Sequence, residues 1–450
     1  MVRKYSFTNK IPLIKSVKIV KLYDTFTYTL EAPMVESPGK CKLLLLYGNN
    51  GSGKTSILNL IFHLLASAPY EGHRSYVGRR AFRLFEIELG NGIRISASRK
   101  KSSGPGLYKL DVYDNKQTQL VEWEWHPDTD PDMKKQQKLQ YSKYCDILNK
   151  LDLSFHYLPD SRRFEDAIPK RKRRYEMDLI KSKIYYNIND IDTDIDEDPF
   201  STSVLLLKSI DKAIEWFRKQ ALARTNVGST SVNSLYQDII KRLVAHGDKE
   251  SNNTSINTDV LIDNLIEIKE RNKGFAKYGL TPEWEIDEIL KALKSTKGKY
   301  IPILEKILGP YIDGHKARLD ALQPLQKVID DFITMLSDFY THKKVKLHLD
   351  KGLEIISELG KELSPAILSS GEKQLLLLLC HAICARRDNS IFIIDEPEIS
   401  LNIKWQRQLI SSLITCLEGT NSQLILATHS IEILSKYKDH IVQLGNLIEG

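Results

Sequence analysis

The chain has 450 residues, of which 42% are hydrophobic and 27% are charged. With this composition we do not expect a disordered chain, and the length predicts either two or three domains or one domain with a large insertion, of which we expect the second. The formal net charge of +7 is mild for this length, so it is compatible with nucleic-acid contact as well as with an ordinary basic surface.

Cysteine usage and hydropathy bear on where the protein works. The five cysteines are odd in number and lack metal-ligand spacing, which predicts free thiols in a reducing cytoplasm. Cys380 and Cys384 lie one helical turn apart, but their leucine-rich surroundings favour buried thiols over a metal pair. The N-terminal sequence has no apolar signal core, and no stretch reaches the roughly 18 apolar residues of a membrane span. We therefore expect a cytoplasmic protein with no membrane partner.

Short apolar runs at the start of the chain predict β-strands. Residues 14–20 and 25–30 alternate or run apolar in short pieces, and 43–47 is a continuous apolar run typical of a buried strand. A helical pattern of apolar residues follows over 56–64. Alternation on both sides of residues 90–92, Gly-Asn-Gly, predicts a hairpin whose turn needs a positive φ. The beginning of the chain is therefore predicted to be α/β with an antiparallel portion.

The middle of the chain differs in its charge distribution and in the spacing of its apolar residues. A basic run over 170–174 and an acidic run over 190–198 predict a surface linker or a domain boundary. The acidic run does not fit a calcium loop, because Ile195 or Glu197 stands where such a loop requires glycine. From 201 to 340 the apolar spacing is helical, so we expect a helical insertion of about 140 residues.

The last helix of this insertion is expected to carry Pro324 in its first turn. Strand alternation then returns at 345–349 and, after a turn, at Leu353 and Ile355. The chain is therefore expected to re-enter the α/β body near residue 341.

A glycine-rich sequence follows the buried strand. Residues 48–55 match the phosphate-loop pattern G-x-x-x-x-G-K-[ST] and lie between a predicted strand and a predicted helix, as that pattern requires. The glycines let backbone N–H groups surround a β-phosphate, Lys54 neutralises β- and γ-phosphate oxygens, and the Thr55 hydroxyl reaches Mg²⁺. We therefore predict ATP and Mg²⁺ as ligands. The residues assigned to the nucleotide in this segment are Asn49, Asn50, Gly51, Ser52, Gly53, Lys54, Thr55 and Ser56.

An all-apolar strand, 391–394, ends in the carboxylates Asp395 and Glu396. Phosphate sites form at the carboxyl edge of such sheets, so the strand presents both side chains where a nucleotide would lie. We predict that Asp395 holds Mg²⁺ through water, and that Glu396 polarises the attacking water as general base.

A third candidate segment, Leu368-Ser369-Ser370-Gly371-Glu372, precedes a strongly apolar helix. Either serine can cap this helix, and the helix dipole favours an anion at that end. Taken alone, the segment is equally well read as an ordinary helix start.

The order of these motifs resembles the ABC ATPase family: phosphate loop, LSSGE, acidic strand, and then Thr428-His429-Ser430 after another strand. The resemblance implies that Ser369, Ser370, Gly371 and Glu372 close over ATP bound by a second copy of the chain, and that His429 is the switch histidine that contacts the γ-phosphate. Residues 399–402 are similar to the loop that the family places at the dimer seam.

This chain departs from the family pattern in two respects. Transporter ATPases favour L-S-G-G-Q, whereas LSSGE is similar to the SMC-like, RecF-like and OLD-like group. The family's Q-loop glutamine has no clear counterpart here. Arg162 and Arg163 resemble an arginine segment of that group, and they are equally well explained as nucleotide sensors or as partners of surface acids.

The expected fold class is therefore an α/β P-loop NTPase of ABC type, with a mixed sheet, an antiparallel β subdomain and a helical insertion. We expect an ATPase lobe over 1–170, the insertion and charged linker over 171–340, and a second ATPase lobe over 341–450.

The resemblance also suggests a biological role. An OLD-type nuclease would continue with a carboxylate-rich TOPRIM domain, and because about 20 residues follow His429, we expect no such domain here. The compact layout is similar to anti-phage defence ATPases of the PARIS, Septu and retron-associated systems. That likeness implies a homo-oligomer that controls a separate effector, a TOPRIM or HNH nuclease, in response to a phage-encoded trigger. The alternative is an SMC-like or RecF-like ATPase that binds DNA, with 99–101 and 170–174 as its basic contacts.

Overall fold

The computed structural model describes residues 13–32, 40–67, 72–100, 106–126, 135–160, 165–166, 202–244, 258–295 and 301–445. The chain divides into two compact units, one made of 1–209 and 369–450 and the other of 210–368. Arg162, Arg163 and both charged runs of the predicted linker lie outside the described residues.

The first unit contains a six-stranded antiparallel sheet in the order β2-β1-β4-β5-β6-β7. Buried and exposed residues alternate along most of these strands, because one face of the sheet packs on the core. The predicted hairpin is confirmed: Gly92 turns it with a φ of 86°. The strands are β1 (Ile14–Leu22), β2 (Phe26–Glu31), β4 (Leu84–Leu89), β5 (Arg94–Ser98), β6 (Tyr108–Tyr113) and β7 (Gln119–Trp125).

The second sheet of this unit is mixed, in the order β14-β3-β13-β12-β8-β9. All its neighbouring strands are parallel except β8 and β9. The two central strands, β12 and β13, are buried along their whole length, which explains their continuous apolar sequences. The strands are β3 (Lys42–Gly48), β8 (Ser154–Leu158), β9 (Glu165–Asp166), β12 (Ser390–Asp395), β13 (Ser422–Thr428) and β14 (Ile441–Leu444). The predicted mixed sheet is thus confirmed.

Within the described residues, six α-helices lie wholly in the first unit. They are α1 (Lys54–Leu65), α2 (His73–Gly78), α3 (Lys135–Lys150), α8 (Ser370–Cys384), α9 (Ile403–Leu417) and α10 (Ile431–Leu434). Helix α1 follows β3 after a loop of five residues and packs against β3, β12 and β13, so the helix and the loop are held on the mixed sheet.

The second unit is mainly helical. Helix α5 packs along α7, where Lys316 Nζ donates to Asn264 Oδ1 at 2.8 Å and Arg271 pairs with Asp320. A two-stranded hairpin, whose residues 345–349 and 353–355 were predicted, completes the unit. Its elements are α4 (Thr202–Val244), most of which lies in this unit, α5 (Thr258–Ala276), α6 (Asp287–Ser295), α7 (Ile301–Phe339), β10 (Lys343–His348) and β11 (Gly352–Ser357).

The structure corrects the predicted start of the last helix. Pro324 lies inside α7, a helix of 39 residues, rather than in its first turn. Proline removes one helical hydrogen bond, and the burial of Leu319, Leu322 and Leu325 around it supplies the packing that keeps the helix continuous. The compact units meet at 209/210 and 368/369. The domain boundaries predicted at 170 and 340 stay a prediction.

A buried histidine pair joins the end of the phosphate-loop helix to α2. His63 Nδ1 lies 2.9 Å from His73 Nδ1, and the ring of Tyr76 stacks on His63 with centroids 4.0 Å apart. Arg74 donates to the backbone carbonyls of His63 and Ala66. Burial, and then the positive charges of His73 and Arg74, lower the pKa of His63 to about 3.

This pair predicts acid sensitivity. The folded chain keeps His63 neutral while the unfolded chain protonates it below about pH 6.5, so stability is fully present above that pH and falls by about 1.4 kcal/mol per pH unit below it. His63→Gln should remove this part of the slope when unfolding free energies from urea titrations at about pH 5.5 and about pH 7.5 are compared. The exposed imidazole of His126 provides the matched control, His126→Gln, which should keep the slope. An unchanged slope in His63→Gln would refute the assignment.

Candidate nucleotide site

The phosphate loop connects β3 to α1 with the conformation that its glycines allow. Gly51 and Gly53 have φ values of 84° and 89°, in the left-handed region that other residues rarely adopt. The ammonium of Lys54 is buried and donates to the carbonyl oxygens of Gly48 at 2.7 Å and Asn49 at 3.1 Å. The loop therefore wraps around a positive charge at the N-terminus of a helix, which is the arrangement that binds phosphate.

The hairpin of β1 and β2 supports this loop, a contact that sequence reasoning missed. The Tyr28 hydroxyl donates to the Ser52 carbonyl at 3.1 Å, and the Tyr23 hydroxyl lies 2.8 Å from Ser56 Oγ. A Cβ on Gly53 would lie only 2.9 Å from Leu22 Cδ2, so the hairpin leaves no room for a side chain there. No sequence pattern relates these tyrosines to the loop, because the link exists only through packing.

Asp395 ends β12 with no exposed surface. Burial raises the pKa of its carboxyl to about 6. A hydrogen bond with Thr55 lowers this pKa by a smaller amount, and the carboxylates of Asp160 and Glu396 raise it further. Thr55 and Asp395, predicted as the metal ligands, are thus brought together. Their oxygen atoms suit Mg²⁺, which is bound by one or two protein groups together with water and phosphate oxygens. When bound, the ion neutralises charge on the phosphates.

Asp160 was not predicted as a site residue. It follows β8, which pairs with β12 so that Leu158 lies opposite Ile394 and Asp160 reaches the same edge of the sheet. A carboxylate two residues beyond a parallel strand was the available sequence signal, but the position of β8 beside β12 was needed to use it.

Glu396 adopts a strained backbone conformation directly after β12. Its φ is 49°, unusual for a residue with a side chain, and its N–H donates to the Ala427 carbonyl at 2.9 Å. Such outliers concentrate at functional sites. Its carboxylate keeps 26% exposure, and Oε1 lies 3.5 Å from His429 Nδ1. The two predicted catalytic side chains are therefore neighbours.

His429 also neighbours a carboxylate that sequence reasoning passed over. Glu398 Oε1 accepts from Thr428 Oγ1 at 2.6 Å and from the His429 backbone N–H at 3.0 Å, and it lies 3.5 Å from His429 Nδ1. Glu398 was available as the third acid of Asp395-Glu396-Pro397-Glu398. It is buried, unlike the partly exposed Glu396.

The LSSGE segment begins helix α8. Ser369 is the N-cap and forms a capping box with Glu372: the Ser369 N–H donates to Glu372 Oε2 at 2.9 Å, and the Glu372 N–H to Ser369 Oγ at 3.4 Å. Gly371 is packed so that a Cβ would lie 2.7 Å from the Ser400 carbonyl oxygen. Within the described residues no hydrogen bond joins either serine of this segment to the phosphate loop, and both serines are exposed.

The fold and the site define a P-loop ATPase. The family model described as AAA ATPase domain matches residues 21–434, and the chain belongs to that family.

Partial relatives are ATP-binding proteins of the ABC type. A putative ABC transporter ATP-binding protein of Bacillus thuringiensis subsp. konkukian is 32% identical over 84 residues, which are 19% of this chain and 14% of that protein. The oligopeptide transport ATP-binding protein OppD of Lactococcus lactis subsp. cremoris is 26% identical over 29% of this chain and 40% of its own length. The chain thus spans less than half of either relative.

Among solved structures, an Smc head domain with an extended coiled coil from Pyrococcus furiosus, bound to the C-terminal domain of ScpA, is 13% identical. The match covers 97% of this chain and 94% of that chain, with a TM-score of 0.37. In the described part of the chain, no helix is long and apolar enough to cross a membrane.

The chain therefore carries an ATPase domain. The edge of the mixed sheet supplies a buried cation, a buried carboxylate and a partly exposed carboxylate beside an imidazole.

Asp395 yields a prediction about the protein without nucleotide. Below about pH 3.8 both folded and unfolded chains hold the proton, and above about pH 6 the folded chain bears the full cost of the buried charge. Asp395→Asn should therefore raise the unfolding free energy at about pH 7.5 by as much as about 3 kcal/mol, and it should abolish ATP hydrolysis. Thermal midpoints measured from about pH 4 to about pH 8 should converge at the acid end.

The exposed Asp146 on α3 offers a matched control. Asp146→Asn should change stability by less than about 0.5 kcal/mol and leave hydrolysis intact. If Asp395→Asn were less stable than the unchanged chain at about pH 7.5, Asp395 would not carry the expected burial cost.

Proposed function

We propose that the protein is an ATP-driven switch whose nucleotide site is completed by a second copy of the chain. In this mechanism the phosphate loop and Asp395 hold ATP and Mg²⁺, Glu396 accepts a proton from the attacking water, and His429 contacts the γ-phosphate. Ser369, Ser370 and Gly371 of the second copy close over that phosphate.

The observation that carries this proposal is the contrast between the two groups of motifs. Lys54, Asp395, Glu396 and His429 meet at one edge of one sheet. The serines of LSSGE instead face solvent at the start of α8, where two exposed N-terminal residues are available to a ligand from another molecule.

Apolar side chains near this edge support association with a second copy. Ile399, Ile403 and Ile431 are 38%, 57% and 70% exposed, and they follow the acidic strand or His429 directly in the chain. Ile399 lies in the loop after β12, and Ile403 and Ile431 are the first residues of α9 and α10. Exposed apolar residues near one another are typical of contact surfaces.

A block in hydrolysis should trap the dimer. Glu396→Gln keeps the shape of the side chain and removes the base, so it should bind ATP, lose at least about 100-fold in turnover and accumulate as an ATP-dependent dimer. Sedimentation velocity with and without ATP measures this state.

The second copy's contribution is tested in the same background. Adding Ser370→Arg places a bulky side chain on an exposed residue of α8, so Glu396→Gln/Ser370→Arg should still bind ATP but remain monomeric. The same change on the exposed Ser142 of α3, Ser142→Arg, is the control and should leave the dimer intact. A double variant that dimerises as well as Glu396→Gln would contradict the role in trans.

For the biological role, we propose the ATPase component of an anti-phage defence system. It would form a higher homo-oligomer, respond to a phage-encoded trigger and control a separate TOPRIM or HNH nuclease. The support is the resemblance in motif order and LSSGE signature, together with a compact helical unit, 210–368.

The alternative is a DNA-maintenance ATPase, and of its basic candidates Arg99 and Lys100 lie in the described part of the chain, with Lys100 exposed. Arg99 is buried: its Nη2 donates to the carbonyls of Val77 and Gly78, and its guanidinium lies 4.6 Å from the Phe82 ring centroid. This arginine is therefore occupied in the core and is not presented to a phosphate backbone.

The two roles differ in their response to DNA. A defence switch should form a stable complex with the product of an adjacent gene, and duplex DNA should change its ATPase rate by less than about twofold. A DNA-maintenance ATPase should be stimulated by DNA, with a stimulation that falls steeply between about 50 and about 200 mM salt. ATPase assays across that salt range and co-purification of the adjacent gene product separate the two.

A further inference from the structure

Glu398 is a buried carboxylate whose charge is not required for holding the neighbouring loop in place. It is 6% exposed, and one oxygen, Oε1, accepts both the Thr428 hydroxyl and the His429 backbone N–H. Its other oxygen, Oε2, is buried with no hydrogen-bond partner among the described residues. Burying an ionised side chain in this way is costly unless the charge has a use.

The loop that carries His429 is already anchored without this charge. Ser430 Oγ donates to Gln406 Oε1 at 2.7 Å, and the Ser430 N–H donates to Thr428 Oγ1 at 3.0 Å. A neutral amide at position 398 could accept from Thr428 and from the His429 N–H equally well. Holding the loop therefore does not explain why a carboxylate stands there.

The charge has one further neighbour, the His429 ring. Nδ1 lies 3.5 Å from Glu398 Oε1 and 3.5 Å from Glu396 Oε1, so the imidazole stands between two acids. The two acids differ in access, since the Glu396 side chain keeps 26% exposure and that of Glu398 keeps 6%. Only Glu396 is placed to turn toward a water molecule.

We propose that Glu398 is a positioning residue for His429. It accepts the Nδ1–H of the ring and thereby fixes the ring orientation, so that the Nε2–H of the imidazolium can donate to the γ-phosphate while Glu396 is engaged by the attacking water. This division of labour rests on the proposed roles of Glu396 and His429. Without Glu398, Glu396 is the remaining carboxylate beside Nδ1, and the ring draws the general base away from water.

The test is a double-variant cycle in the full chain. Glu398→Gln should keep both hydrogen bonds to the loop and lose the charge, so kcat should fall by about tenfold or more while KM for ATP stays within about threefold. His429→Ala should slow turnover as well. In Glu398→Gln/His429→Ala, kcat should lie within about twofold of His429→Ala alone, because Glu398 acts through the histidine.

Two controls separate positioning from folding. Glu432→Gln changes a carboxylate three residues past His429 that pairs with Arg407, and it should leave kcat unchanged. Thermal midpoints of Glu398→Gln and the unchanged chain should agree within about 3 °C, since the loop contacts remain. Glu398→Ala, which leaves Thr428 and the His429 N–H unpaired, should melt lower.

The outcomes are distinct. Normal turnover in Glu398→Gln with slow turnover in His429→Ala overturns the role of Glu398 and leaves the proposed function standing. Multiplicative losses in the double variant show a structural role and also overturn the proposal. Normal turnover in His429→Ala removes the proposed role of His429 itself, and the role of Glu398 with it.

Discussion

The parallel register of the central strands is the constraint on which the site depends. Asp395 on β12 pairs with Ala427 on β13, and Thr428 pairs with Tyr47 on β3, so all three strands end at one edge. The phosphate loop, the two acids and the histidine leave the sheet from that edge. A shift of one residue in β12 would turn Asp395 to the opposite face of the sheet and separate it from Thr55.

Several ionisable side chains at this edge of the sheet are buried. Lys54, Asp395 and Glu398 are each at most 6% exposed, whereas Glu396 keeps more than a quarter of its side-chain surface. Burial raises the pKa of Asp395 to about 6, and a cation close to the carboxyl would favour its ionised form. Burial of these charged groups lowers the stability of the fold. The same loss of water strengthens the electrostatic attraction between the buried ammonium and a bound phosphate.

The surrounding elements act as supports for this edge. The β1–β2 hairpin reaches the phosphate loop through Tyr23 and Tyr28, and α8 is seated against the loop after β12 through the close approach of Gly371 to Ser400. Glu372 is the capping partner of this helix start, so the segment is an ordinary capping box. Its two serines are exposed, and their role toward ATP bound by a second copy stays a prediction.

Local sequence determined the elements and most of the site. Continuous apolar runs identify buried strands, the loop pattern identifies Lys54 and Thr55, and the position of Asp395 at a strand end identifies an acid at the sheet edge, because these signals depend on neighbouring residues alone. Local patterns did not identify Asp160, Glu398 or Tyr23 as residues of the site, and they placed Pro324 in the first turn of a helix. Only the tertiary structure decides which strands are neighbours, how deeply a carboxylate is buried and whether packing carries a helix through a proline. Those properties arise from contacts between residues far apart in the chain, which no local pattern records.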